Sequence, residues 1–483
     1  MPKENNFETR VQYIKHMVIK YVAEAAWNGN LTEEVLEIPQ KIIPGNKPTM
    51  RCCVYKERAI LAERIKLAMG LCGPDIVQVI SIACDECAKG GYQVTENCRG
   101  CLAHRCEAVC PRGAITFTSN QRAHIDVEKC VQCGRCSQVC PYSAIANYRR
   151  PCENACKTGA IGMDEDGAAT VRQEDCTVCG ACVNQCPFGA IVEKSYVLET
   201  VELLKEVRDD PSKKLVAVVA PSIAVQYKNV HVDQVVAGLL KLGFTHVTEA
   251  ALGADMTAAR EARELADKGT LMSSCCPAFV LLVKKKFPEL AAQISETPSP
   301  MVMVAMHIKE RLPGAKVVFI GPCTAKKAEA ELPNVKPFID NVITFEEMDA
   351  LFDARGIEIT ELERSNLADA SRYGRNFARS GGVATAVTKA MREESEGLED
   401  SFEIKTCIAA GTDECIKILK KAVYGRADGN FIEGMACVGG CINGPVSLRH
   451  LGGDIIPMLE EHAGEVKGRK ILETAAKGAA LSD

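Results

Sequence analysis

Sixteen of the chain's 26 cysteines lie between Cys84 and Cys186, at spacings typical of ligands for iron–sulfur clusters. The tightest unit has the form Cys-x2-Cys-x2-Cys-x3-Cys-Pro; it begins at Cys130 and again at Cys176. In such units three cysteines bind one 4Fe-4S cubane and the fourth binds the partner cluster. The repeat therefore predicts paired cubanes, which are groups that transfer electrons.

The other cysteines of this stretch complete the pairs. A unit with a longer second spacing begins at Cys98, and short pairs that begin at Cys84 and Cys152 supply the remaining thiols. The crossover of the fourth cysteine sorts the sixteen cysteines into four sets of four. Set 1 is Cys98, Cys101, Cys106 and Cys140; set 2 is Cys130, Cys133, Cys136 and Cys110; set 3 is Cys176, Cys179, Cys182 and Cys156; set 4 is Cys84, Cys87, Cys152 and Cys186.

Zinc sites and disulfides are the alternatives for so many thiols. Zinc is also bound by Cys-x2-Cys pairs. Zinc ribbons lack the Cys-Pro step and the triple Cys-x2-Cys-x2-Cys spacing, so the pattern favours iron–sulfur clusters. Residues 1–21 are charged throughout and contain no apolar secretory core. We therefore expect a cytoplasmic protein in a reducing environment, where disulfides are rare.

Five more cysteines lie far downstream in three short motifs. Four thiolates saturate one cubane, so a fifth cysteine beside a ligand needs another role. Each motif follows a predicted strand or turn, where open α/β sheets place their ligands. The motifs are Ser274-Cys275-Cys276-Pro277-Ala278-Phe279, Gly321-Pro322-Cys323-Thr324-Ala325-Lys326-Lys327 and Glu433-Gly434-Met435-Ala436-Cys437-Val438-Gly439-Gly440-Cys441.

The apolar periodicity around these motifs predicts a multidomain chain of mixed α+β and α/β class. Residues 1–75 show helical spacing and predict a mainly helical segment. Residues 76–195 are rich in turns and predict a ferredoxin-like domain with four 4Fe-4S clusters, and residues 196–483 alternate strands with helices, as α/β domains with mainly parallel sheets do. We expect strands over 214–219, 316–320 and 403–409 and helices over 235–242, 258–267, 301–311 and 382–394.

Composition argues against two kinds of partner. A formal net charge of −5 gives no basis for binding nucleic acid. The longest strongly apolar stretch, residues 215–225, is about half a bilayer crossing, so we predict a buried strand there and expect no membrane segment. Because the chain has 8 histidines and 26 cysteines, thiolates should dominate any metal binding.

The three downstream motifs together closely resemble the signatures of the iron-only (FeFe) hydrogenases, and the resemblance extends from about residue 84 to the mid-440s. It implies an H-cluster, which is a 4Fe-4S cubane linked to a two-iron subcluster with carbonyl, cyanide and azadithiolate ligands. By motif, the cubane ligands would be Cys276, Cys323, Cys437 and Cys441, with Cys441 also bridging to the subcluster. Cys275 would be the free thiol that delivers protons to the bridging amine.

The resemblance also implies the surroundings of this cofactor. Lys326 would hydrogen-bond one cyanide, as a buried cation beside an anionic ligand should. The segment Ala220-Pro221-Ser222 would supply a donor to the other cyanide. Pro322 and Met435, within the second and third motifs, would line the cofactor.

Two glutamates match the proton path of the same family. Glu261 and Glu264 are three residues apart on one predicted helix face, and Ser295 matches the serine between them. The implied route runs from the surface through Glu264, Ser295 and Glu261 to Cys275, with Lys268 near its mouth. The alternative is that both glutamates are ordinary surface carboxylates.

Three residues near the expected cofactor depart from the best-known family members. Gly321 replaces a methionine, Phe279 a tryptophan and Met301 a glutamine, and these departures resemble the less studied group B branch. Such positions touch the two-iron subcluster, so we expect them to alter its potential or catalytic bias.

Five cysteines have no place in this scheme. Cys407 lies in a predicted strand and Cys415 on a predicted helix, and both are expected to be buried small hydrophobes. The sequence assigns no role to Cys52, Cys53 and Cys72.

The implied activity is the reversible conversion of two protons and two electrons into H2, with electrons relayed by four accessory 4Fe-4S clusters. We find no flavin or nicotinamide fingerprint, so the electron partner should be external, ferredoxin in the simplest case. Maturation proteins for the two-iron subcluster are also implied. Two alternatives stay open: an H2 sensor of low turnover, and a subunit coupled to a partner oxidoreductase such as formate dehydrogenase. The oligomeric state stays open as well.

Overall fold

The N-terminal region is a group of helices. The computed structural model describes residues 7–87, 90–395, 402–450 and 453–478. The longest of these helices begins after Thr9, whose side chain accepts a hydrogen bond from the Gln12 amide, and ends before Gly29, whose φ of 76° suits glycine. The helices are α1 (Arg10–Asn28), α2 (Leu31–Glu34), α3 (Ile38–Ile42) and α4 (Val54–Ala68).

The α1 helix buries an apolar face. Ile14, Val18 and Val22 recur at helical spacing and share one core cluster with Ile65 of α4. The helix also packs against α15 (Phe345–Ala354) of the C-terminal region. The N-terminal helices are thereby docked on the rest of the molecule.

The cysteine-rich region consists of short antiparallel strand pairs joined by turns and one-turn helices. Its strands are β1 (Val77–Val79), β2 (Gly91–Val94), β3 (Ile115–Phe117), β4 (Ala123–Ile125), β5 (Ile145–Tyr148), β6 (Ile161–Met163), β7 (Ala169–Val171) and β8 (Ile191–Glu193). Its helices are α5 (Arg105–Ala108), α6 (Arg135–Val139), α7 (Pro151–Ala155) and α8 (Ala181–Gln185). Strand β1 pairs with β8, β2 with β5, β3 with β4 and β6 with β7. Small apolar clusters around Ile115 and Ile191 include several of the cysteines.

The C-terminal region alternates strands and helices. Its strands are β9 (Leu215–Val219), β10 (His246–Glu249), β11 (Leu271–Met272), β12 (Lys316–Gly321), β13 (Asn341–Thr344), β14 (Thr406–Ala410) and β15 (Phe431–Met435). Its other α-helices are α9 (Val197–Asp209), α10 (Val232–Leu242), α11 (Ala250–Lys268), α12 (Pro277–Lys286), α13 (Pro300–Arg311), α14 (Thr324–Ala330), α16 (Arg372–Arg375), α17 (Gly382–Glu394), α18 (Thr412–Val423), α19 (Ile455–Gly464) and α20 (Ile471–Lys477). Short 3-10 turns include Pro221–Val225 and Cys441–Asn443.

The strands of this region form two parallel sheets, in the orders β10-β9-β12-β13 and β11-β15-β14. Strand β9 is buried along its whole length, as expected for a parallel strand covered by helices on both faces. This confirms the predicted α/β domain with mainly parallel sheets. Helix α11 begins at Ala250, earlier than predicted, because its first turns carry small residues that obscure the apolar spacing. Among the described residues, no helix is long and apolar enough to cross a membrane.

A buried ion pair lies where the cysteine-rich and C-terminal regions meet. Lys327 and Glu347 are both inaccessible to solvent, and Lys327 Nζ donates to the two Glu347 carboxylate oxygens at 3.0 and 2.9 Å. The same ammonium donates to the Lys194 carbonyl at 2.6 Å. Glu347 also accepts the Thr344 amide at 2.7 Å, which caps α15. One ion pair thus joins α14, α15 and the chain segment after β8.

A second ionic contact adds the N-terminal region to this junction. Lys15 of α1 forms ion pairs with Glu193 of β8 and with Glu346 of α15. Glu193 and Glu346 are buried, so these charges are poorly screened by water. All three regions of the chain therefore meet at one set of charges.

We expect Lys327→Met to destabilise the folded chain by about 3–5 kcal/mol, because Glu347 would stay buried without its cation. Chemical denaturation under anaerobic conditions measures this loss. Lys327→Met combined with Glu347→Leu should recover much of it, since both charges leave together. The matched control is Lys336→Met, which breaks the exposed pair with Glu331 and should change stability by less than about 1 kcal/mol. Equal losses in Lys327→Met and the control would contradict this account.

Candidate metal centre

The downstream motifs follow the carboxyl ends of parallel strands. Strand β12 ends just before Cys323, β11 shortly before Cys275 and Cys276, and β15 shortly before Cys437. Strand β9 ends directly before Ala220. Because the strands of each sheet are parallel, their carboxyl ends lie along one edge, where α/β sheets bind ligands. Motifs that are far apart in the sequence therefore lie at the same ends of parallel strands.

Four thiols at these strand ends influence one another strongly. Burial, followed by the charge of Cys276, raises the pKa of Cys323 to about 12. The pKa of Cys441 is raised by burial first and then by the charges of Cys276 and Cys323. The pKa of Cys437 is raised by burial and then by the charges of Cys323, Cys441 and Cys276. Grouped thiols removed from water become thiolates only where cations compensate the charge, as irons do. The structure therefore brings together the four cysteines predicted to ligate one cubane.

The grouping of these four thiols rests on shared burial and mutual electrostatic influence. Within the described ranges, no three histidine, cysteine or acidic side chains converge as ligands of a single metal ion would.

Two of these cysteines also cap helices. Cys276 is the residue before α12, and Cys323 is the residue before α14. The N-terminus of a helix carries partial positive charge, which stabilises a thiolate placed there. Pro277 at the first position of α12 leaves no unpaired amide, since proline has none. The two helices thus direct their positive ends toward these cysteines.

A buried ammonium group faces the same thiols. Lys326 is 9% exposed, and its Nζ donates to Ser299 Oγ at 2.8 Å and to Glu329 Oε2 at 2.7 Å. Burial acts to lower the pKa of Lys326, but Glu329, Cys323 and Cys275 outweigh it and raise the pKa above its usual value. The side chain stays cationic and can donate to an anionic ligand of the cofactor.

Ser222 presents a buried hydroxyl with no acceptor. It lies in the turn Pro221–Val225 after β9, it is fully buried, and its Oγ has no hydrogen-bond partner among the described residues. Buried hydroxyls in folded proteins nearly always have partners, so this one fits a bound group that accepts a hydrogen bond. Grouped thiols, a buried ammonium and an unpartnered hydroxyl together fit the donor set implied for an H-cluster.

Glu261 links this centre to the interior of the protein. Its Oε1 accepts the amide and hydroxyl of Ser274 at 3.0 and 3.2 Å, and its buried Oε2 has no partner among the described residues. Burial raises the pKa of Glu261 to about 7. After burial, Glu261 is the largest cause of the raised pKa of Cys275, so the carboxyl lies close to that thiol. A group that titrates near neutrality beside a thiol suits proton relay.

Glu264 lies one turn further along α11, toward solvent. It accepts hydrogen bonds from Ser295 Oγ at 2.6 Å and from Lys268 Nζ at 2.9 Å. Burial acts to raise the pKa of Glu264, but the bonds from Ser295 and the Glu296 amide and the charge of Lys268 hold it below its usual value. Ser295 also lies near enough to Glu261 to lower the pKa of that carboxyl. The serine therefore lies between the two glutamates, in the predicted order.

The four accessory sets also group in space. In each set burial is the largest cause of a raised thiol pKa, and cysteines of the same predicted set add to it. In set 1 the pKa of Cys106 is raised by Cys101 and Cys140, and in set 2 the pKa of Cys136 is raised by Cys130 and Cys110. In set 3 the pKa of Cys176 is raised by Cys179 and Cys156, and in set 4 the pKa of Cys152 is raised by Cys186 and Cys84. Every one of these groups contains a crossover cysteine, as the spacing rule predicts.

Set 3 lies next to the four-thiol centre. Burial raises the pKa of Cys179, and Cys276 of the centre contributes. Thr324 at the start of α14 donates to the Val178 carbonyl at 2.7 Å, and Lys285 near the end of α12 donates to a carbonyl of the same loop at 2.7 Å. Both helices that begin at centre cysteines therefore also contact the loop of set 3.

Sequence reasoning missed Glu433 and Ser274. Glu433 is fully buried in β15, and its two carboxylate oxygens each accept one amide of the α17 start, from Gly381 and Ala384, at 2.7 Å. This explains the tandem glycine that opens α17, because an anion there is stabilised by the helix N-terminus. The sequence feature that could have pointed to Glu433 and Ser274 is their position inside the cysteine motifs.

The structure accounts for one of the three departures from the better-known hydrogenases, Gly321, and shows what Phe279 contacts. The Phe279 ring lies 2.3 Å from where a Cβ on Gly434 would stand, so glycine is required there. A Cβ on Gly321 would lie 2.7 Å from the Phe319 ring, so Phe319 occupies the space of a larger residue. Met301 is buried in α13, and nothing in the structure explains why it replaces a polar side chain. The assignment to group B stays a prediction.

Two of the remaining cysteines are packing residues. Cys407 and Cys415 are buried, as predicted. The Cys415 thiol donates to the carbonyls of Ala409 and Met435 at 3.6 and 3.5 Å, which fixes the strand end that precedes Cys437. Met435 itself is buried.

Comparison with known proteins gives three family matches. The family described as iron only hydrogenase large subunit, C-terminal domain, matches residues 213–445, which contain all three downstream motifs. A 4Fe-4S dicluster domain matches residues 97–144, and an LdpA Fe-S cluster-binding domain matches residues 146–197. The chain therefore binds iron–sulfur clusters.

Individual relatives agree with the family matches. The periplasmic [Fe] hydrogenase large subunit of Nitratidesulfovibrio vulgaris is 30% identical over 374 residues, which cover 66% of this chain and 85% of that one. Iron hydrogenase 1 of Clostridium pasteurianum is 27% identical over 304 residues. The aligned residues are 52% of this chain and 52% of that relative, so the chain spans about half of the relative's length. A probable cytosolic Fe-S cluster assembly factor of Drosophila persimilis is 25% identical over 244 residues, 41% of this chain and 51% of that one.

A solved [FeFe]-hydrogenase structure is 23% identical, covers 58% of this chain and 92% of that one, and has a TM-score of 0.49. The family assignment rests on the sequence matches, above all the relative that is 30% identical and 85% covered. These matches fall on the segments that carry the grouped cysteines of the centre. The chain belongs to the iron-only hydrogenase family.

Proposed function

We propose that this protein is a hydrogenase that interconverts two protons and two electrons with H2 at an H-cluster. The observation that carries this proposal is the series Glu264, Ser295 and Glu261, in which Ser295 Oγ donates to Glu264 at 2.6 Å and lies near Glu261, and which ends beside the Cys275 thiol. Cys275 neighbours the four-cysteine centre without belonging to it. A protein that only carries a cluster needs no buried proton relay at this point.

The residues of the chain hold and insulate the cofactor. When bound, the H-cluster supplies the two-iron site at which protons and electrons combine. Its cubane would be held by Cys276, Cys323, Cys437 and Cys441, and Cys441 would also link it to the two-iron subcluster, which carries the azadithiolate. Lys326 and Ser222 would donate to the two cyanides, and Ala220, Pro221, Pro322 and Met435 would line the site and exclude water.

Protons would reach Cys275 by a series of short transfers. Glu264, beside Lys268, accepts a proton from solvent, and the Ser295 hydroxyl passes one on to Glu261. The free Oε2 of Glu261 then exchanges a proton with the Cys275 thiol. In the direction of H2 oxidation the same groups carry protons outward.

Electrons would travel through four accessory cubanes bound by sets 1 to 4. Set 3 would deliver them, since its Cys179 lies within electrostatic reach of Cys276. An external carrier such as ferredoxin would supply or remove them, and maturation proteins would install the two-iron subcluster in the cytoplasm. Coupling to a partner oxidoreductase such as formate dehydrogenase would use the same accessory clusters.

Two other functions use a similar scaffold. The match to a cytosolic Fe-S cluster assembly factor favours a role in cluster assembly, which requires neither H2 turnover nor Cys275. An H2 sensor of low turnover would keep the cofactor and the relay. Turnover of the matured protein separates the three functions.

The first test is iron content. Protein reconstituted without the two-iron subcluster should hold about twenty irons, four for each of the accessory sets and four at the centre. Replacing both Cys84 and Cys87 by alanine should lower the content to about sixteen. A content near sixteen that this double replacement leaves unchanged would remove set 4 from the proposal.

The second test is H2 uptake and evolution after anaerobic maturation with the two-iron cofactor. Rapid turnover supports the enzyme, whereas normal infrared bands of cyanide and carbonyl with turnover orders of magnitude lower support the sensor. Cys275→Ser should keep those bands and lose most turnover, because a hydroxyl is a far weaker acid than a thiol. Cys275→Asp should retain part of the activity, since a carboxyl can be tuned to a matching pKa. Full turnover in Cys275→Ser would place the proton path elsewhere.

The third test is the pH dependence of stability. Because the pKa of Glu261 is raised from 4.5 to about 7, the folded protein keeps this proton over a pH range in which the unfolded chain has lost it. The carboxyl therefore destabilises the fold increasingly as pH rises through that range, by about 3 kcal/mol at most. Glu261→Gln should remove this slope, whereas Glu289→Gln, at an exposed position, should not. Parallel stability curves for wild type and Glu261→Gln between about pH 5 and pH 7.5 would refute the assigned pKa.

A further inference from the structure

Two buried arginines lie beside set 4. Arg64 of α4 is 7% exposed, and its Nη2 donates to the carbonyls of Phe188 and Gly189, in the turn after Cys186, at 3.2 and 2.7 Å. Its Nη1 is buried and has no hydrogen-bond partner among the described residues. The guanidinium thus reaches set 4 from a helix of the N-terminal region.

The second arginine, Arg150, lies two residues before Cys152 of the same set. Arg150 is 9% exposed, and its Nη1 lies 4.0 Å from Cys84 Sγ. The same nitrogen donates to the Gly167 carbonyl at 2.6 Å and contacts Met163 Sδ at 2.9 Å. Within the described part of the chain, the side-chain partners of both arginines are carbonyl oxygens and sulfur atoms, so neither is paired with a carboxylate.

A buried cation without a counterion is unfavourable in a folded protein. Set 4 supplies negative charge beside both arginines, because its four cysteines become thiolates when they bind a cluster. For Arg64 the buried carboxylate of Glu193 adds a smaller influence than Cys186 does. Burial lowers the pKa of Arg64 to about 10, and Cys186 is the first influence that opposes this. The arginines therefore supply the positive charge that this thiolate set needs.

The charges around the other sets differ in their exposure. Arginines that neighbour sets 1 and 2 in sequence are exposed, so water and salt screen their charge; they are Arg99, Arg105, Arg112, Arg122 and Arg135. Lys285, which contacts the loop of set 3, is exposed as well. Two other charged side chains lie near set 4. Arg51 is paired with Asp85 at 3.2 Å, so its charge is largely neutralised. Glu153 adds to the raised pKa of Cys152, after burial and the neighbouring thiols. Among the residues described near set 4, Arg64 and Arg150 are the buried cations whose side chains have no carboxylate partner.

We propose that Arg64 and Arg150 make the set 4 cluster the most readily reduced of the four accessory clusters, so that it holds an electron close to the catalytic centre. The inference rests on the proposed function, in which set 4 binds a 4Fe-4S cluster. Reduction moves one electron onto a group that thiolates already make anionic, and cations nearby stabilise the added charge. Amide donors do not distinguish the sets, because two thiols of set 4 accept amide bonds at 3.3 and 3.2 Å and two thiols each of set 1 and set 3 accept similar bonds.

The location of set 4 gives such an electron a use. Cys152 of set 4 adds to the raised pKa of Cys182 of set 3, and helix α7 packs against α8, so the two sets are neighbours. Set 3 in turn lies beside the catalytic centre. An electron held at set 4 would be one of the two that each H2 requires, and no proton moves in the transfer between the sets.

The test is a redox titration of the full chain, followed by electron paramagnetic resonance, in protein that carries its cubanes but lacks the two-iron subcluster. The component with the most positive midpoint should disappear in Cys84→Ala, as iron falls from about twenty to about sixteen per chain. In Arg64→Met and in Arg150→Met this component should shift to more negative potential. At a fixed potential its ratio of reduced to oxidised cluster should fall about tenfold.

Control variants separate charge from packing. Arg149→Met removes an exposed neighbour of Arg150 and should leave every midpoint in place. Arg150→Lys keeps the charge and should keep most of the potential, so a shift as large as that of Arg150→Met would overturn the charge effect. Iron content of each arginine variant shows whether the cluster is still bound.

The outcomes distinguish this inference from the function on which it rests. If iron content does not change in Cys84→Ala, set 4 binds no cluster and that part of the proposed function fails. If iron falls but the most positive component survives, another set holds it and the inference is overturned. A most positive component that is lost in Cys84→Ala but unmoved in Arg64→Met and Arg150→Met overturns the role of the arginines while the cluster assignment stands.

Discussion

Thiolates removed from water must have positive charge close by, and this requirement governs the arrangement of the molecule. Cys276 and Cys323 lie at the N-termini of helices α12 and α14, where the backbone itself carries partial positive charge. Lys326 places a buried ammonium beside the same thiols, held by Ser299 and Glu329. At set 4 the compensating charge comes from side chains on separate elements. At each site, bound iron would add its positive charge to the positive charge that the protein already places beside the thiols.

The same burial that concentrates charge also separates the properties of two similar carboxyl groups. Glu261 and Glu264 lie one turn apart on α11, yet burial raises the pKa of Glu261, whereas hydrogen bonds and Lys268 hold that of Glu264 below its usual value. The outer carboxyl is therefore an anion that attracts protons, and the inner one titrates near neutrality. Two carboxyl groups whose surroundings separate their pKa values are a common basis for directed proton transfer.

Short, rigid connections join the cysteine-rich region to the four-thiol centre. Helix α12 begins after Cys276, and its far end contacts the loop of set 3 through Lys285. Helix α14 begins after Cys323, and its first residue, Thr324, contacts Val178 of the same loop. The buried Lys327 and Glu347 pair fixes α14 against α15. The separation between set 3 and the four-thiol centre is thus set by packed helices rather than by flexible loops.

The sequence alone determined the cysteine sets, the three downstream motifs and the alternation of strands and helices. The Cys-x2-Cys-x2-Cys units are local, since three ligands of one cubane lie within seven residues of sequence there, and strand periodicity is local as well. Only the tertiary structure decided which distant residues serve these sites. Arg64 reaches set 4 from a helix of another region, Ser222 is left without a partner after β9, and Glu433 caps α17 across the second sheet. Contacts of this kind depend on how whole elements pack, and pairs of residues far apart in the chain carry no spacing from which their contact could be inferred.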